Sequence, residues 1–150
     1  MGGNPPKKFE YKTNKIFSIL FISEMSTPSE SKIVFINDFE HYLKVIEGEK
    51  RVIIVDFSAT WCGPCKKLLP TLEQLSQQFA EKLLVLKVDA DLDGQLPEEN
   101  QMIPLFKVEG FPTVVFLKNC TFQTGDDFRI EGLDLPKLKK ALKTLADVTF

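Results

Sequence analysis

The segment VIIVDFSATWCGPC, residues 52–65, joins an apolar run directly to a pair of cysteines. Residues 51–57 are continuous and rich in β-branched side chains, which is typical of a central parallel strand buried on both faces. Leu68, Leu72, Leu75 and Phe79 then recur at helical spacing. Cys62 and Cys65 are therefore expected where a buried strand passes into a helix, a position at which reactive groups gather in open α/β sheets.

The composition is that of one soluble domain. A chain of 150 residues with 43% hydrophobic content can bury a core. Its net charge of -2 gives no general reason to bind nucleic acid or an anionic membrane. Three cysteines are too few, and odd in number, for a small scaffold held together by disulfides. Because the fold does not depend on disulfides, the thiols are available for chemistry. No apolar run approaches the ~20 residues that span a bilayer.

Residues 1–30 differ from the rest of the chain. They contain glycines and prolines, a short apolar run at 16–22, and a Ser/Thr/Pro/Glu stretch. We expect a weakly ordered extension here, followed by one domain over residues 31–150. The default location is cytoplasmic. A secreted or organellar location follows if residues 1–25 act as a targeting segment, and Met25 is an alternative start.

Beyond residue 31, strand-like and helix-like segments alternate. Strands are predicted at residues 33–36, 51–57, 83–88, 113–117 and 128–130. Helices are predicted after a cap at Asn37 or Asp38, from the cysteines to Ala80, after Pro97, and after a cap at Asp134. This order implies an α/β fold in which a central mixed sheet has helices on both faces. We expect the first strand to be buried and Leu43 to face inward from the first helix. The acidic connection 89–110 is expected to be a solvated loop.

The spacing of the two cysteines predicts different roles for them. A helix start stabilises an anion, which favours the thiolate of Cys62. Cys62 is expected to be exposed and to attack a disulfide, and Cys65, one turn on, lies within reach to resolve the product. Gly63 permits a tight turn and Pro64 fixes φ at the helix start. Trp61 is suited to shield the site and to offer a partner a flat surface.

Other uses of a cysteine pair are less favoured by the sequence. A structural zinc site needs four ligands, and only Cys120 and His41 remain, far apart in the chain. A permanent structural disulfide across four residues removes little chain entropy. The acidic residues of the 89–110 connection lack the spacing of a calcium-binding loop. The pattern favours redox chemistry without a metal.

The segment VDFSATWCGPC, residues 55–65, resembles the active-site segment of the thioredoxin family, and the resemblance extends over about residues 32–146. It implies a thioredoxin fold and a protein-disulfide oxidoreductase that reduces disulfides in client proteins. It also implies recycling by an NADPH-dependent thioredoxin reductase, no cofactor bound to this chain, and a monomer.

The resemblance also implies roles for residues outside the cysteine pair. Asp56 matches the family's buried aspartate beneath the second cysteine, which assists its deprotonation. Lys87 matches the lysine that often accompanies this aspartate.

A second matching segment, Gly110 to Thr113, resembles the family's loop that holds a cis-proline beside the cysteines. The cis residue would be Pro112. The backbone of Phe111, within the segment Gly110 to Thr113, would then bind an extended substrate strand.

Three departures from the family concern the loops. The connection 91–108 is about six residues longer than in short thioredoxins, the hairpin at 121–127 is enlarged, and Cys120 occupies a position where the family has glycine. They leave open a binding or adaptor module with vestigial cysteines, or a specialised protein with few partners. An oxidase or isomerase is the other alternative. The Gly63-Pro64 dipeptide between the cysteines of this chain, however, resembles that of reducing thioredoxins.

Overall fold

The computed structural model describes residues 32–150, so the expected extension over residues 1–30 lies outside the described part. The strands are β1 (Val34–Phe35), β2 (Val52–Ser58), β3 (Leu83–Asp89), β4 (Thr113–Lys118), β5 (Thr121–Phe122) and β6 (Arg129–Glu131). The helices are α1 (Phe39–Ile46), α2 (Gly63–Gln78), α3 (Ala90–Asp93) and α4 (Leu135–Ala146), with 3-10 turns at Glu98–Asn100 and Asp126–Phe128. None of these described helices is long and apolar enough to cross a membrane.

The predicted mixed sheet is confirmed. Its strands run in the order β1-β3-β2-β4-β5, and β6 also pairs with β4. The β1, β3 and β2 strands are mutually parallel, whereas β4 is antiparallel to β2. All residues of β2 are buried, as the unbroken apolar run predicts for a central strand.

The two faces of the sheet are covered by different segments. Val52 and Ile54 lie in a core with residues of α2 and α4, whereas Ile53, Val55 and Phe57 pack with α1 and the connection that follows α3. Because side chains alternate along a strand, position 56 falls on the face that α2 covers. The helices therefore flank both faces of the sheet, and the pleat of β2 directs a carboxylate toward α2.

The predicted caps are present at both ends of the domain. Asp38 accepts a hydrogen bond from the backbone N–H of His41 at 2.7 Å, and Asp134 accepts one from Lys137 at 3.0 Å. The helix α2 continues through Pro70, which has no N–H to donate to the carbonyl of residue 66.

Two burial predictions were wrong at one residue each, Phe35 and Leu43, whereas Ile36 of the first predicted strand is buried. The strand β1 is at the sheet edge, and Phe35 is 61% exposed because β1 has a neighbour on one side only. In α1, Leu43 is exposed and Tyr42 is buried instead. The ring of Tyr42 packs edge-on against Phe106, with centroids 5.6 Å apart, and this contact with the 102–109 segment sets the inner face of α1.

The acidic connection is more ordered than a solvated loop. Asp89 caps α3, a helix that the sequence analysis did not predict. The side chain of Asp93 is buried and accepts hydrogen bonds from the backbone N–H groups of Met102, at 2.7 Å, and Ile103, at 3.0 Å. Both carboxylate oxygens therefore hold the far end of the connection against α3.

Cys120 stands in the two-residue turn between β4 and β5. Asn119 and Cys120 both have positive φ, 53° and 59°, as two-residue hairpin turns of the primed type require. Such a position favours glycine over a residue with a side chain. The thiol of Cys120 lies 3.0 Å from the carbonyl oxygen of Ile46 at the end of α1.

Substitution of Asp93 by alanine is expected to destabilise the domain. The change leaves two N–H groups without their carboxylate partner, and hydrogen bonds to a charged group contribute about 1.5–3 kcal/mol each. We expect the free energy of unfolding, measured with urea, to fall by about 2–4 kcal/mol. Glu98→Ala, at an exposed neighbour, should change it by less than about 0.5 kcal/mol. Equal losses in the two variants would contradict this role for Asp93.

Candidate active site

The two cysteines of the motif form a disulfide at the start of α2. Cys62 is the N-cap of the helix, and its Sγ accepts a hydrogen bond from the backbone N–H of Cys65 at 3.2 Å. Cys62 is only 5% exposed and Cys65 3%. The expectation that Cys62 is exposed is therefore wrong for the disulfide form. What distinguishes the two sulfurs is their position on the helix.

Apolar and aromatic groups surround the disulfide. Ala59, Ala90 and Phe111 pack around Cys62 and Cys65. The ring of Trp61 stands edge-on to that of Phe111, with centroids 5.9 Å apart, and most of the indole is exposed. The site thus has an exposed aromatic face beside a covered disulfide.

The loop that precedes β4 has the conformation expected of it. The Phe111-Pro112 peptide bond is cis. The hydroxyl of Thr113 donates to the carbonyl of Gly110 at 2.7 Å, and the N–H of Gly132 donates to the carbonyl of Pro112 at 2.8 Å. These two bonds hold Phe111 beside the cysteines.

Asp56 is buried on the face of β2 that α2 covers, with 1% of its surface exposed. Lys87 is its partner in the β2–β3 register, and Nζ of Lys87 lies 3.4 Å from Oδ2 of Asp56. The other oxygen, Oδ1, has no hydrogen-bond partner among the described residues. Burial raises the pKa of Asp56, and the nearby Lys87 opposes this increase only in part.

Ser58 is a site residue that the sequence analysis missed. It lies two positions beyond Asp56 on the same face of β2, and Nζ of Lys87 donates to its Oγ at 2.6 Å. Ser58, Cys65 and Lys87 line a cavity of about 260 Å³. The lysine is thus held nearer to the hydroxyl than to the carboxylate.

Comparison with known proteins assigns this arrangement to a family. The family model described as thioredoxin matches residues 32–144. The chain belongs to the thioredoxin family. It is 32% identical over 106 residues to Thioredoxin-1 of Drosophila melanogaster, covering 68% of this chain and 92% of the relative. It is 36% identical over 90 residues to a thioredoxin of Haemophilus influenzae, covering 59% and 77% of the two chains.

The fold comparison agrees. The crystal structure of the germline-specific thioredoxin Deadhead from Drosophila matches with a TM-score of 0.62 at 32% identity, covering 75% of this chain and 98% of that one. A member of the thioredoxin family with a disulfide-forming pair at the active-site position is a protein-disulfide oxidoreductase. The predicted fold and class of activity are therefore confirmed.

Asp91 is a second residue at this thioredoxin site that the sequence analysis did not identify. It stands in α3, and its two carboxylate oxygens accept from the hydroxyl of Thr60 at 3.0 Å and from the indole N–H of Trp61 at 3.3 Å. The carboxyl ends of the adjacent parallel strands β2 and β3 bring these residues together, since Ser58 pairs with Asp89. Asp91 therefore fixes the loop that precedes Cys62.

The residues considered as metal ligands are placed elsewhere. His41 accepts a hydrogen bond at Nδ1 from the N–H of Asn37, and Cys120 lies in the β4–β5 turn. Within residues 32–150, no three His, Cys, Asp or Glu side chains are grouped as a metal site.

Replacement of Asp56 by asparagine is expected to stabilise the protein near neutral pH. Because burial raises the pKa of Asp56, the folded protein retains a proton above pH 4, near the ordinary carboxyl pKa, where the unfolded chain loses it. Native stability should therefore fall as the pH rises toward the folded-state pKa. Asp56→Asn cannot ionise, so its free energy of unfolding at pH 8 should exceed the native value by about 1–3 kcal/mol.

Urea unfolding of the disulfide form between pH 4.5 and pH 8.5 measures this difference. The difference in the free energy of unfolding between Asp56→Asn and the native protein should shrink toward pH 4.5. The control variant Glu99→Gln, at an exposed carboxylate, should follow the native pH profile. A variant that is less stable than the native protein at pH 8 would show that Asp56 is not destabilising when charged.

Removal of the Asp91 carboxylate is expected to free the tryptophan. The chain has one tryptophan, so its fluorescence reports Trp61 alone. Asp91→Ala should lower the steady-state anisotropy of Trp61, while the free energy of unfolding changes by about 1 kcal/mol or less because the two bonds are exposed. Asp91→Asn retains an acceptor oxygen and should recover part of the anisotropy. Unchanged anisotropy in Asp91→Ala would overturn this role.

Proposed function

We propose that the chain reduces disulfides in client proteins by dithiol–disulfide exchange, with Cys62 as the attacking thiol and Cys65 as the resolving thiol. The observation that carries the proposal is the placement of Cys62 at the N-cap of α2, with Cys65 in disulfide contact one turn on. In the disulfide form, the Sγ of Cys62 accepts a hydrogen bond from the backbone N–H of Cys65. The same N–H and the helix dipole would stabilise its thiolate in the reduced form.

The exchange proceeds in two steps. The thiolate of Cys62 attacks one sulfur of the client disulfide, which forms a mixed disulfide and expels the other client sulfur as a thiolate. The thiolate of Cys65 then attacks the sulfur of Cys62, which releases the second client thiol and closes the Cys62–Cys65 bond. Two electrons pass from the pair to the client.

Asp56 is proposed to accept the proton of Cys65 in the second step. Its burial on the α2 side and its raised pKa make the carboxylate a better base than an exposed one. Lys87, held by Ser58, stabilises the charged carboxylate without neutralising it fully. Cys65 and Lys87 line the same cavity, which places the lysine that contacts Asp56 on the side of the resolving thiol.

The client is proposed to bind as an extended strand over the cis-proline loop. Gly110, Phe111, Pro112 and Thr113 present the backbone, and Trp61 supplies the adjoining exposed aromatic surface. Gly63 and Pro64 shape the turn between the two thiols.

Recycling requires an external source of electrons. We propose that a thioredoxin reductase reduces the Cys62–Cys65 disulfide with electrons from NADPH, so that the chain takes part in electron transport without binding a cofactor itself. A cytoplasmic location belongs to the proposal, because a reducing compartment keeps the dithiol available. The chain is proposed to act as a monomer.

Reduction of insulin disulfides, with dithiothreitol as electron source, tests the proposal. Cys62→Ser should abolish the catalysed rate, whereas Cys120→Ser, outside the site, should retain it. Cys65→Ser should accumulate a mixed disulfide with insulin, since the resolving step is lost. Alkylation of the reduced protein should modify Cys62 before Cys65. A native rate no higher than that of Cys62→Ser would favour the adaptor alternative, and the reverse alkylation order would overturn the assigned roles.

A further inference from the structure

A groove of about 560 Å³ opens between the 105–109 segment and the β5–β6 edge of the sheet. Its apolar part is formed by Leu105, which is 52% exposed, and Phe122, which is 40% exposed, together with Phe106. The rings of Phe106 and Phe122 meet edge-on with centroids 5.9 Å apart. An exposed apolar surface of this kind, set in a concavity, is characteristic of a binding site.

Hydrogen bonds and ring contacts within the domain hold the two walls of the groove in place. Arg129 donates from Nη2 to the carbonyl of Lys107 at 2.8 Å and from Nε to a carboxylate oxygen of Glu131 at 3.0 Å. Phe106 also packs on Phe57 of β2, with centroids 5.3 Å apart. The connection and the sheet edge are thus joined across the groove, so its shape exists before a ligand arrives.

One end of the groove borders the active site. Glu109 lines it and directly precedes Gly110. Glu131 also lines it, pairs with Thr113 in the β4–β6 register and directly precedes Gly132. Since the N–H of Gly132 donates a hydrogen bond to the carbonyl of Pro112, the groove is continuous with the cis-proline loop.

We propose that this groove binds the part of a client chain that flanks its reactive disulfide and selects clients with a large apolar side chain there. The inference rests on the proposed function and adds a rule of specificity to it. Phe122 pairs with Leu117, four positions along β4 from Thr113 and six from Phe111. At about 3.3 Å per residue this is roughly 13–20 Å, so the selected side chain lies about four to six residues from the client cysteine.

The charges at the rim define the occupant further. Lys107 and Arg129 balance Glu109 and Glu131, so the lining carries no net charge. A polar rim around an apolar centre is the usual arrangement of a protein-binding surface. The groove therefore selects for an aromatic or aliphatic side chain and not for the net charge of the client.

Two peptides of matched sequence test the inference with the full chain. Each is a self-quenched dimer linked by one disulfide, and it carries either Phe or Ser five residues to both sides of the cysteine. With dithiothreitol as electron source, we expect kcat/KM for the Phe peptide to exceed that for the Ser peptide about tenfold. Leu105→Ser and Phe122→Ser should bring this ratio toward one. Phe35→Ser, which removes an exposed Phe from the opposite sheet edge, should keep the ratio.

The outcomes separate this inference from the function beneath it. If the native chain reduces both peptides at the same rate, or if the ratio survives in both groove variants, the groove does not select clients. If neither peptide is reduced, the proposed function fails and the inference fails with it. If sedimentation shows a native dimer that Leu105→Ser dissociates, the groove binds a second copy of this chain and the inference is overturned.

Discussion

The site depends on β2 being buried along its whole length. A shift of this strand by one residue would move every side chain to the opposite face. The observed register directs Asp56 toward α2, which carries Cys65, and sets it opposite Lys87 of β3. A shifted strand would point Asp56 toward α1 and away from the cysteines. The packing of ordinary aliphatic residues therefore determines where the buried carboxylate of Asp56 stands.

The same placement makes the site a source of instability. Asp56 has one carboxylate oxygen without a hydrogen-bond partner among the described residues, and its nearest cation is 3.4 Å from the other oxygen. Ser58 holds Lys87 at 2.6 Å and so limits its approach to Asp56. A closer ion pair would stabilise the fold, but it would also lower the pKa of Asp56 and weaken it as a base. The geometry thus keeps the pKa of Asp56 raised, at some loss of folding stability.

The sequence predicts those parts of the molecule whose determinants are local. The apolar run of β2 and the caps Asp38 and Asp134 follow from neighbouring residues, and the cysteine pair and the cis-proline loop follow from short motifs. The sequence fails where the decisive partner is remote. Thr60 and Asp91 are 31 positions apart, and no local pattern marks either as a partner of the other. The exposure of Phe35 follows from the position of β1 at the sheet edge, which depends on the whole topology.

The short helix α3 explains why the acidic connection 89–110 is not a solvated loop. Two of its carboxylates point to different parts of the molecule. Asp91 holds Thr60 and Trp61 at the cysteines, and Asp93 holds the backbone at Met102, three residues before Leu105 in the groove wall. Because both carboxylates belong to one turn of helix, the loop before Cys62 and the segment that leads to the groove share a single support. The connection can therefore form a groove at its far end without loosening the disulfide, since α3 fixes both.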